Sequence, residues 1–216
     1  MSANSSHFVS WVSEWLACAE APREAGMIFV LAGRRYRKVY GLQLFSQGLS
    51  PKILLSVGRY ELRRFPELAL PVPVDLLSRA STVPPPRRHY FVEFCRKQVE
   101  VTLIRVRSFG TLGEIEALAA KLNQDRNPDT VLVVSSWEHL RRVRLCCRTL
   151  LPKRIQVILI AAPDEKEEET SKGLARIGPQ MVTVSLELVK LLVYRAVLGL
   201  RRLSGEPEPP AGPVSP

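Results

Sequence analysis

The stretch Met27-Ile-Phe-Val-Leu-Ala-Gly33, followed by a helical segment and then by Ile53-Leu-Leu-Ser-Val-Gly58, decides the fold class. Both apolar runs are short and end at a glycine, which is typical of strands that are buried on both faces. Between them, the segment from Arg35 to Gln47 carries apolar side chains at helical spacing and ends before Gly48. Strand, helix and strand within about thirty residues predict a βαβ unit.

Further apolar runs continue this alternation of strand and helix. Together, the runs predict core strands over 27–32, 53–57, 99–106, 131–135 and 155–161. We therefore expect an α/β fold with a Rossmann-like, open, mainly parallel sheet and helices on both faces. A weaker alternation from His89 to Phe94 predicts an extra antiparallel strand, paired with the strand that follows it.

The length of 216 residues suits one α/β domain. The segment 1–26 contains apolar residues at helical spacing and predicts an N-terminal helix that packs on the domain. Residues 27–204 form the predicted domain itself. Five of the twelve residues in 205–216 are proline, so this segment is expected to be a disordered tail.

The composition is that of a basic globular protein, with 46% hydrophobic residues and a formal charge of +10. This charge favours anionic partners, although a soluble surface that merely happens to be basic would have the same composition. The four cysteines show neither a CxxC motif nor zinc-ligand spacing, which indicates reduced thiols and a cytoplasmic protein. We expect no signal peptide and no transmembrane segment, because the apolar stretch from Leu186 to Leu200 contains three charges.

Cationic and hydroxyl side chains follow several predicted strands at the point where each strand ends. The C-terminal ends of parallel strands meet at one edge of the sheet, where such folds bind their ligands, and helix N-termini add backbone N–H groups there. We therefore expect a site for a phosphate or a carboxylate. The candidate ligand-binding residues are Gly33, Arg34, Arg37, Gly58, Arg59, Ser108, Thr111, Ser135, Ser136, His139 and Arg142.

The sharpest part of this hypothesis concerns His139 and Arg142, which share one face of the predicted helix because they are three residues apart. Ser108 and Thr111, from the turn after the strand 99–106, should come close to this pair. If the strands 27–32 and 99–106 flank the point where the strand order of the sheet reverses, Arg34 and Arg37 should close the other side. Replacing His139 or Arg142 should then weaken ligand binding with little change in melting temperature.

Most of these residue types also have a purely structural explanation. Ser108 and Thr111 are typical of helix caps, and Gly33 and Gly58 are typical of tight turns. The basic run that begins at Arg34 is explained equally well by a solvated helix start and by a functional role, since cations there oppose the helix dipole.

Several known site types are missing from the sequence. No GxGxxG follows the first strand, and no P-loop, GxSxG or HExxH motif occurs. Paired carboxylates are absent from the predicted strand ends, which argues against metal-assisted or glycosidase-type chemistry.

Three segments resemble the YdcF-like group of bacterial proteins of unknown function, which includes the envelope proteins ElyC and SanA. The first runs from Val30 to Gly58, where the family has an apolar strand ending in glycines, an arginine, a helix ending LYxxG and then APxILVSGG. The second is Ser108-Phe-Gly-Thr111, against ExxSxNTxEN. The third is Val133-Val-Ser-Ser136 with His139 and Arg142, against VTSxxHxxRA.

The helix from Leu186 to Tyr194 also resembles the closing HExxxxxxY-type helix of that family, so the resemblance spans residues 27–200. It implies a Rossmann-like fold and a nucleotide-like ligand, with S-adenosylmethionine among the candidates, but no established reaction. The acidic residue of the second family pattern falls on Arg105 here. This departure favours binding of an anion over acid–base or metal chemistry.

The leading hypothesis is therefore a cytoplasmic YdcF-like domain that binds a small anionic or nucleotide-like ligand at the C-terminal edge of its sheet. One alternative is a basic module that binds nucleic acid or an anionic membrane surface, although no recognisable nucleic-acid-binding motif appears. Another is a non-catalytic interaction protein with a decayed site.

Overall fold

The computed structural model describes residues 12, 15, 16, 18–106, 108, 110–124, 128–164 and 177–203. The predicted N-terminal helix therefore falls largely outside the described residues, and the predicted tail over 205–216 falls wholly outside them. Within the N-terminal segment, Val12 and Leu16 are buried and pack against Val184.

Six strands and five α-helices make up the regular structure of the described residues. The strands are β1 Met27–Val30, β2 Lys52–Gly58, β3 His89–Cys95, β4 Gln98–Leu103, β5 Thr130–Ser135 and β6 Gln156–Ala161. The helices are α1 Arg35–Ser46, α2 Leu76–Ser81, α3 Gly110–Gln124, α4 Leu140–Leu150 and α5 Ile177–Leu203. Three 3₁₀ helices add Leu62–Glu67, Pro85–Arg87 and Trp137–His139.

The strands form one sheet in the order β4-β3-β2-β1-β5-β6. Strand β1 is parallel to β2 and β5, and β5 is parallel to β6, whereas β3 is antiparallel to both of its neighbours. Val30, at the end of β1, lies opposite Leu55 on one side and Val134 on the other. The predicted α/β, Rossmann-like fold with a mainly parallel sheet is confirmed.

The segment 99–106 is a strand, and its predicted antiparallel pairing with the strand that begins at His89 is confirmed, but its position at the edge of the sheet differs from the expectation that it flanks β1. It ends at Leu103 and forms an edge hairpin with β3 across the two-residue turn Arg96-Lys97, in which Arg96 has a φ of 55°. The strand neighbouring β1 across the switch point is therefore β5 and not this segment. The physical reason is the alternation of polar and apolar residues in β4, which suits a half-buried edge strand.

The central strand β1 supplies side chains to two separate cores. Met27 and Phe29 point to one face, where they pack with α3, α4 and α5, and Ile28 and Val30 point to the other face, where α1 packs. All four residues are fully buried. An uninterrupted apolar run therefore follows from a strand that has helices on both faces.

Gly41 fixes how closely α1 approaches the sheet, because a Cβ added there would lie 2.4 Å from Cγ2 of Val30. We expect Gly41→Ala to lower the free energy of unfolding by about 1–2 kcal/mol, since the overpacking outweighs the gain in helix propensity. Urea unfolding followed by circular dichroism measures this change.

Gly199 provides a matched control in α5, because a Cβ there would meet nothing within 4 Å. Gly199→Ala should raise stability by about 0.5–1 kcal/mol through helix propensity alone. Equal effects of the two substitutions would contradict the close packing of α1 on β1.

Candidate functional site

A cavity of about 890 Å³ lies at the C-terminal edge of the sheet. Residues that follow β1, β2 and β5 line it, together with the first turns of α1 and α3 and one face of α5. Because the strand order reverses between β1 and β5, this is the place where an open α/β sheet binds ligands. The volume is typical of small-molecule sites.

Arg37 brings a buried positive charge to this cavity from the first turn of α1. Its side chain donates from Nε to Ser136 Oγ over 2.7 Å and from Nη1 to the Ala32 carbonyl oxygen over 2.8 Å. The residue is only 5% exposed. Both acceptors are neutral, and no carboxylate among the described residues lies within ion-pair distance of the guanidinium, so its charge is not balanced by a direct partner.

Gly33 makes room for that guanidinium. It has a φ of +133°, and a Cβ at this position would lie 2.8 Å from Nη1 of Arg37. Both the backbone conformation and the close approach therefore require glycine here.

His139, Arg142 and Glu187 form a hydrogen-bonded cluster on the opposite wall. Nη2 of Arg142 lies 3.0 Å from both Nδ1 of His139 and Oε2 of Glu187, and its Nη1 donates to Thr111 Oγ1 over 2.8 Å. Oε1 of Glu187 lies 3.2 Å from Nδ1 of His139 and accepts from Lys190 over 2.7 Å. The guanidinium of Arg142 also lies 5.2 Å from the centre of the Tyr194 ring.

The pKa values of the cluster follow from this geometry. Burial acts to raise the pKa of Glu187, but the hydrogen bond with His139 and the charge of Arg142 outweigh it and lower the pKa to about 2. Burial lowers the pKa of His139, and the charges of Arg37 and Arg142 add to this against the hydrogen bond with Glu187. At neutral pH the site therefore holds a carboxylate beside a neutral imidazole.

The neutral imidazole keeps one ring nitrogen for a ligand. Nδ1 donates to Glu187 when it carries the hydrogen and accepts from Arg142 when it does not. Nε2 lies 3.8 Å from Oε1 of Glu138, which is beyond hydrogen-bond distance. His139 can thus donate to an anion or accept a proton at Nε2, depending on its tautomer.

Two further polar contacts order the floor of the cavity. Lys38 is buried and forms an ion pair with Glu61, and burial lowers the pKa of Lys38 although Glu61 opposes this. Glu114 accepts from Ser56 Oγ over 3.1 Å and lies 3.4 Å from Nε2 of His89. These carboxylates are already engaged by neighbouring side chains.

The lining as a whole is cationic, with seven Arg or Lys side chains against four carboxylates. Among the described residues, no group of three or more His, Cys, Asp and Glu side chains could hold a metal ion. The arrangement favours an anionic ligand that meets several N–H donors.

The structure brings seven of the eleven sequence-predicted site residues to this cavity. They are Gly33, Arg34, Arg37, Gly58, Thr111, His139 and Arg142. Arg34 stands at the rim, 63% exposed, with its guanidinium 3.1 Å from Asp164. Ser136 lies directly behind, as the acceptor for Arg37 and the partner of Tyr36.

The other three predicted residues lie outside the lining. The hydroxyl of Ser135 is buried and has no hydrogen-bond partner among the described residues. Arg59 is exposed, with its guanidinium 4.4 Å from the centre of the Tyr60 ring. Ser108 accepts from Arg201 over 2.9 Å instead of approaching His139 and Arg142.

Glu187 is one of the lining residues that the predicted site lacks, which also include Lys38, Glu61, Glu114 and Glu138. It stands on α5, far along the chain from every strand end, and it is only 2% exposed. The signal for it was a lone acid inside an apolar helix, in the segment that resembles an HExxxxxxY pattern. The site therefore contains more negative charge than the sequence predicts.

No family model, no curated protein and no solved structure matches this chain.

Glu187→Gln tests the electrostatic part of this site. The folded-state pKa of about 2 lies below the usual 4.5, so the carboxylate stabilises the fold fully above pH 4.5, and this contribution is lost as the pH falls towards 2. We expect the variant to be less stable at pH 7 by about 3 kcal/mol. The difference from the unsubstituted chain, measured by urea unfolding, should shrink below pH 4.5.

Glu67→Gln is the control, because Glu67 is exposed and lies 3.9 Å from Arg35. Its effect should stay below about 1 kcal/mol. A Glu187→Gln difference that does not change with pH would show that the carboxylate has an ordinary pKa.

Proposed function

We propose that this protein binds a small anionic ligand, with a phosphate or carboxylate group, in the cavity between the ends of β1 and β5. The observation that carries the proposal is the charge of Arg37. Burying a guanidinium without a counter-charge costs several kcal/mol, and a bound anion would offset this cost.

The backbone supports the same assignment. Helix α1 begins at Arg35, its N-cap Arg34 makes no side-chain capping bond, and its first turn contains no acidic residue. The N–H of Arg37 already donates to the Arg34 carbonyl oxygen, but the N–H groups of Arg35 and Tyr36 and the positive end of the helix dipole are available to an anion beside Arg37. Charge-assisted hydrogen bonds of this kind contribute roughly 1.5–3 kcal/mol each.

Two further lining residues support a ligand larger than a free phosphate ion. His139 offers Nε2, and Tyr60, 82% exposed, offers an aromatic ring at the rim. A nucleotide-like molecule has both an anionic part for Arg37 and a flat part for such a ring. The proposed ligand class is therefore nucleotide-like, and S-adenosylmethionine, which the family resemblance implies, is one candidate.

Membership of the YdcF-like group remains part of this proposal and rests on the motifs quoted from the sequence. His139, Arg142 and Thr111, which carry two of those motifs, contact one another or share the cavity. We assign no reaction. The cytoplasmic location stays a prediction from the cysteines, all four of which are free thiols.

Arg37→Gln tests the proposal most directly. Inorganic pyrophosphate, ATP and S-adenosylmethionine serve as probes in isothermal titration calorimetry and in thermal-shift measurements. We expect at least one probe to bind the unsubstituted chain and raise its melting temperature. Arg37→Gln should weaken that binding tenfold or more, and Arg37→Lys should restore part of it, because the lysine keeps the charge but loses the forked geometry.

Arg144→Gln provides a charge-matched control, since Arg144 lies outside the lining and bonds the Cys18 carbonyl. It should leave the affinity unchanged. Equal affinity of the Arg37→Gln variant and the unsubstituted chain, or no binding of any probe, would refute the proposal. A steep fall of polynucleotide affinity with salt, without binding of these probes, would favour the nucleic-acid alternative.

The sequence predicts the same effect for substitution of His139 and of Arg142, whereas their contacts in the structure predict different effects on stability. Arg142 is buried and bonded to three side chains, so Arg142→Ala should lower the free energy of unfolding by about 3 kcal/mol. His139→Ala should weaken probe binding while costing less than half as much stability. Urea unfolding and calorimetry on both variants test this, and equal losses of stability would mean that His139 has a structural role.

A further inference from the structure

We propose that the outer face of α5 docks on an anionic lipid surface. This inference is independent of the ligand proposed for the cavity.

The inner face of α5 is fixed to the domain. Glu187, Leu191, Tyr194 and Leu198 are all buried, and Tyr194 and Leu198 belong to the core formed with α3 and α4. The rotation of the helix about its axis is therefore determined by packing. Its opposite side faces away from the sheet.

That opposite side is apolar. It carries large hydrophobic side chains that are between 46% and 86% exposed, and they recur at intervals of three, four or seven residues, which places them on one side of the helix. These residues, which we name the outer stripe, are Val182, Leu186, Val189, Val193, Leu200 and Leu203, with Leu192 beside them. One border of the stripe adjoins the domain, since Leu186 also lines the cavity and Val189 and Val193 line a smaller pocket beside Gly110. At 1.5 Å per residue the stripe is about 32 Å long. A contiguous apolar surface of this length on a soluble domain marks an interaction site.

The charges around the outer stripe are all positive. The exposed charged side chains described on α5 are Lys190 and Arg195. Lys190 is paired with the buried Glu187 over 2.7 Å, whereas Arg195 has no ion pair among the described residues. An apolar face flanked by Lys and Arg is the pattern of a helix that lies in the interface of an anionic bilayer. The formal charge of +10 adds to the attraction.

Charge complementarity favours lipid over the other occupants of such a stripe. Two copies of α5 packed together would form no ion pair between the helices, because α5 exposes no acid among its described side chains. A nucleic acid would satisfy the cations and leave the apolar side chains in water. Within the described residues no helix has the length and apolarity to cross a bilayer, so the proposed association is with the surface.

Vesicle flotation of the full chain tests this inference. We expect the protein to float with vesicles of equal parts phosphatidylcholine and phosphatidylglycerol, and to remain largely unbound with phosphatidylcholine alone. Leu192→Glu with Leu200→Glu should reduce the partition coefficient more than tenfold, because both apolar burial and charge attraction are lost. Arg195→Gln alone should reduce it about fivefold.

Val39→Glu with Leu77→Glu is the matched control, because it places the same two charges at exposed apolar positions on α1 and α2. It should leave flotation close to that of the unsubstituted chain. Circular dichroism confirms that each variant is folded.

Three results would overturn the proposal. One is the absence of flotation with the anionic vesicles at low ionic strength. Another is an equal loss of flotation in the control and in the α5 variant, which would assign binding to net charge alone. The third is a dimer, measured by light scattering, that the α5 variant dissociates while vesicles capture neither protein, which would make a second copy the occupant.

Discussion

Complete enclosure of β1 is the constraint on which the rest of the structure depends. Its two edges pair with β2 and β5, and its two faces pack against different layers of helices. A strand in this position can contain no charged residue, so the first cations of the segment are placed directly beyond its end, after Gly33. The cavity therefore lies just beyond the C-terminal end of β1, where the chain is no longer enclosed on both faces and both edges.

The polar residues around the cavity show how the fold tolerates buried charge. Lys38 with Glu61, and Arg142 with Glu187, are paired and bonded to further groups, which limits the cost of removing them from water. Arg37 instead has only neutral oxygens as direct partners. Lys38 and Arg142 thus contact carboxylates and Arg37 does not. This difference indicates that the side chains at this edge of the sheet serve more than stability.

Elements and site residues that depend on local sequence can be predicted from the amino-acid pattern. Those that depend on contacts between distant segments cannot. Strands such as β1 and β5 are recognisable because burial on both faces demands a continuous apolar run. The segment 99–106 was expected to flank β1, although the alternating polar and apolar residues of β4 and the predicted pairing with 89–94 both indicate a half-buried strand at the edge of the sheet. Arg37 and His139 could be predicted because they follow strand ends directly, whereas Glu187 reaches the cavity through the packing of α5, which no short motif encodes.

Helix α5 carries Glu187 on its inner face and the outer stripe on the other, and one rigid helix cannot move either without the other. If a ligand bound in the cavity shifts Glu187, ligand binding and lipid binding become coupled. Each then changes the free energy of the other by the same amount. A lipid surface that strengthened ligand binding would itself be held more tightly by the ligand-loaded protein. In that case the fraction of the protein bound to the membrane would depend on the ligand concentration, and no hinge or lid would have to move.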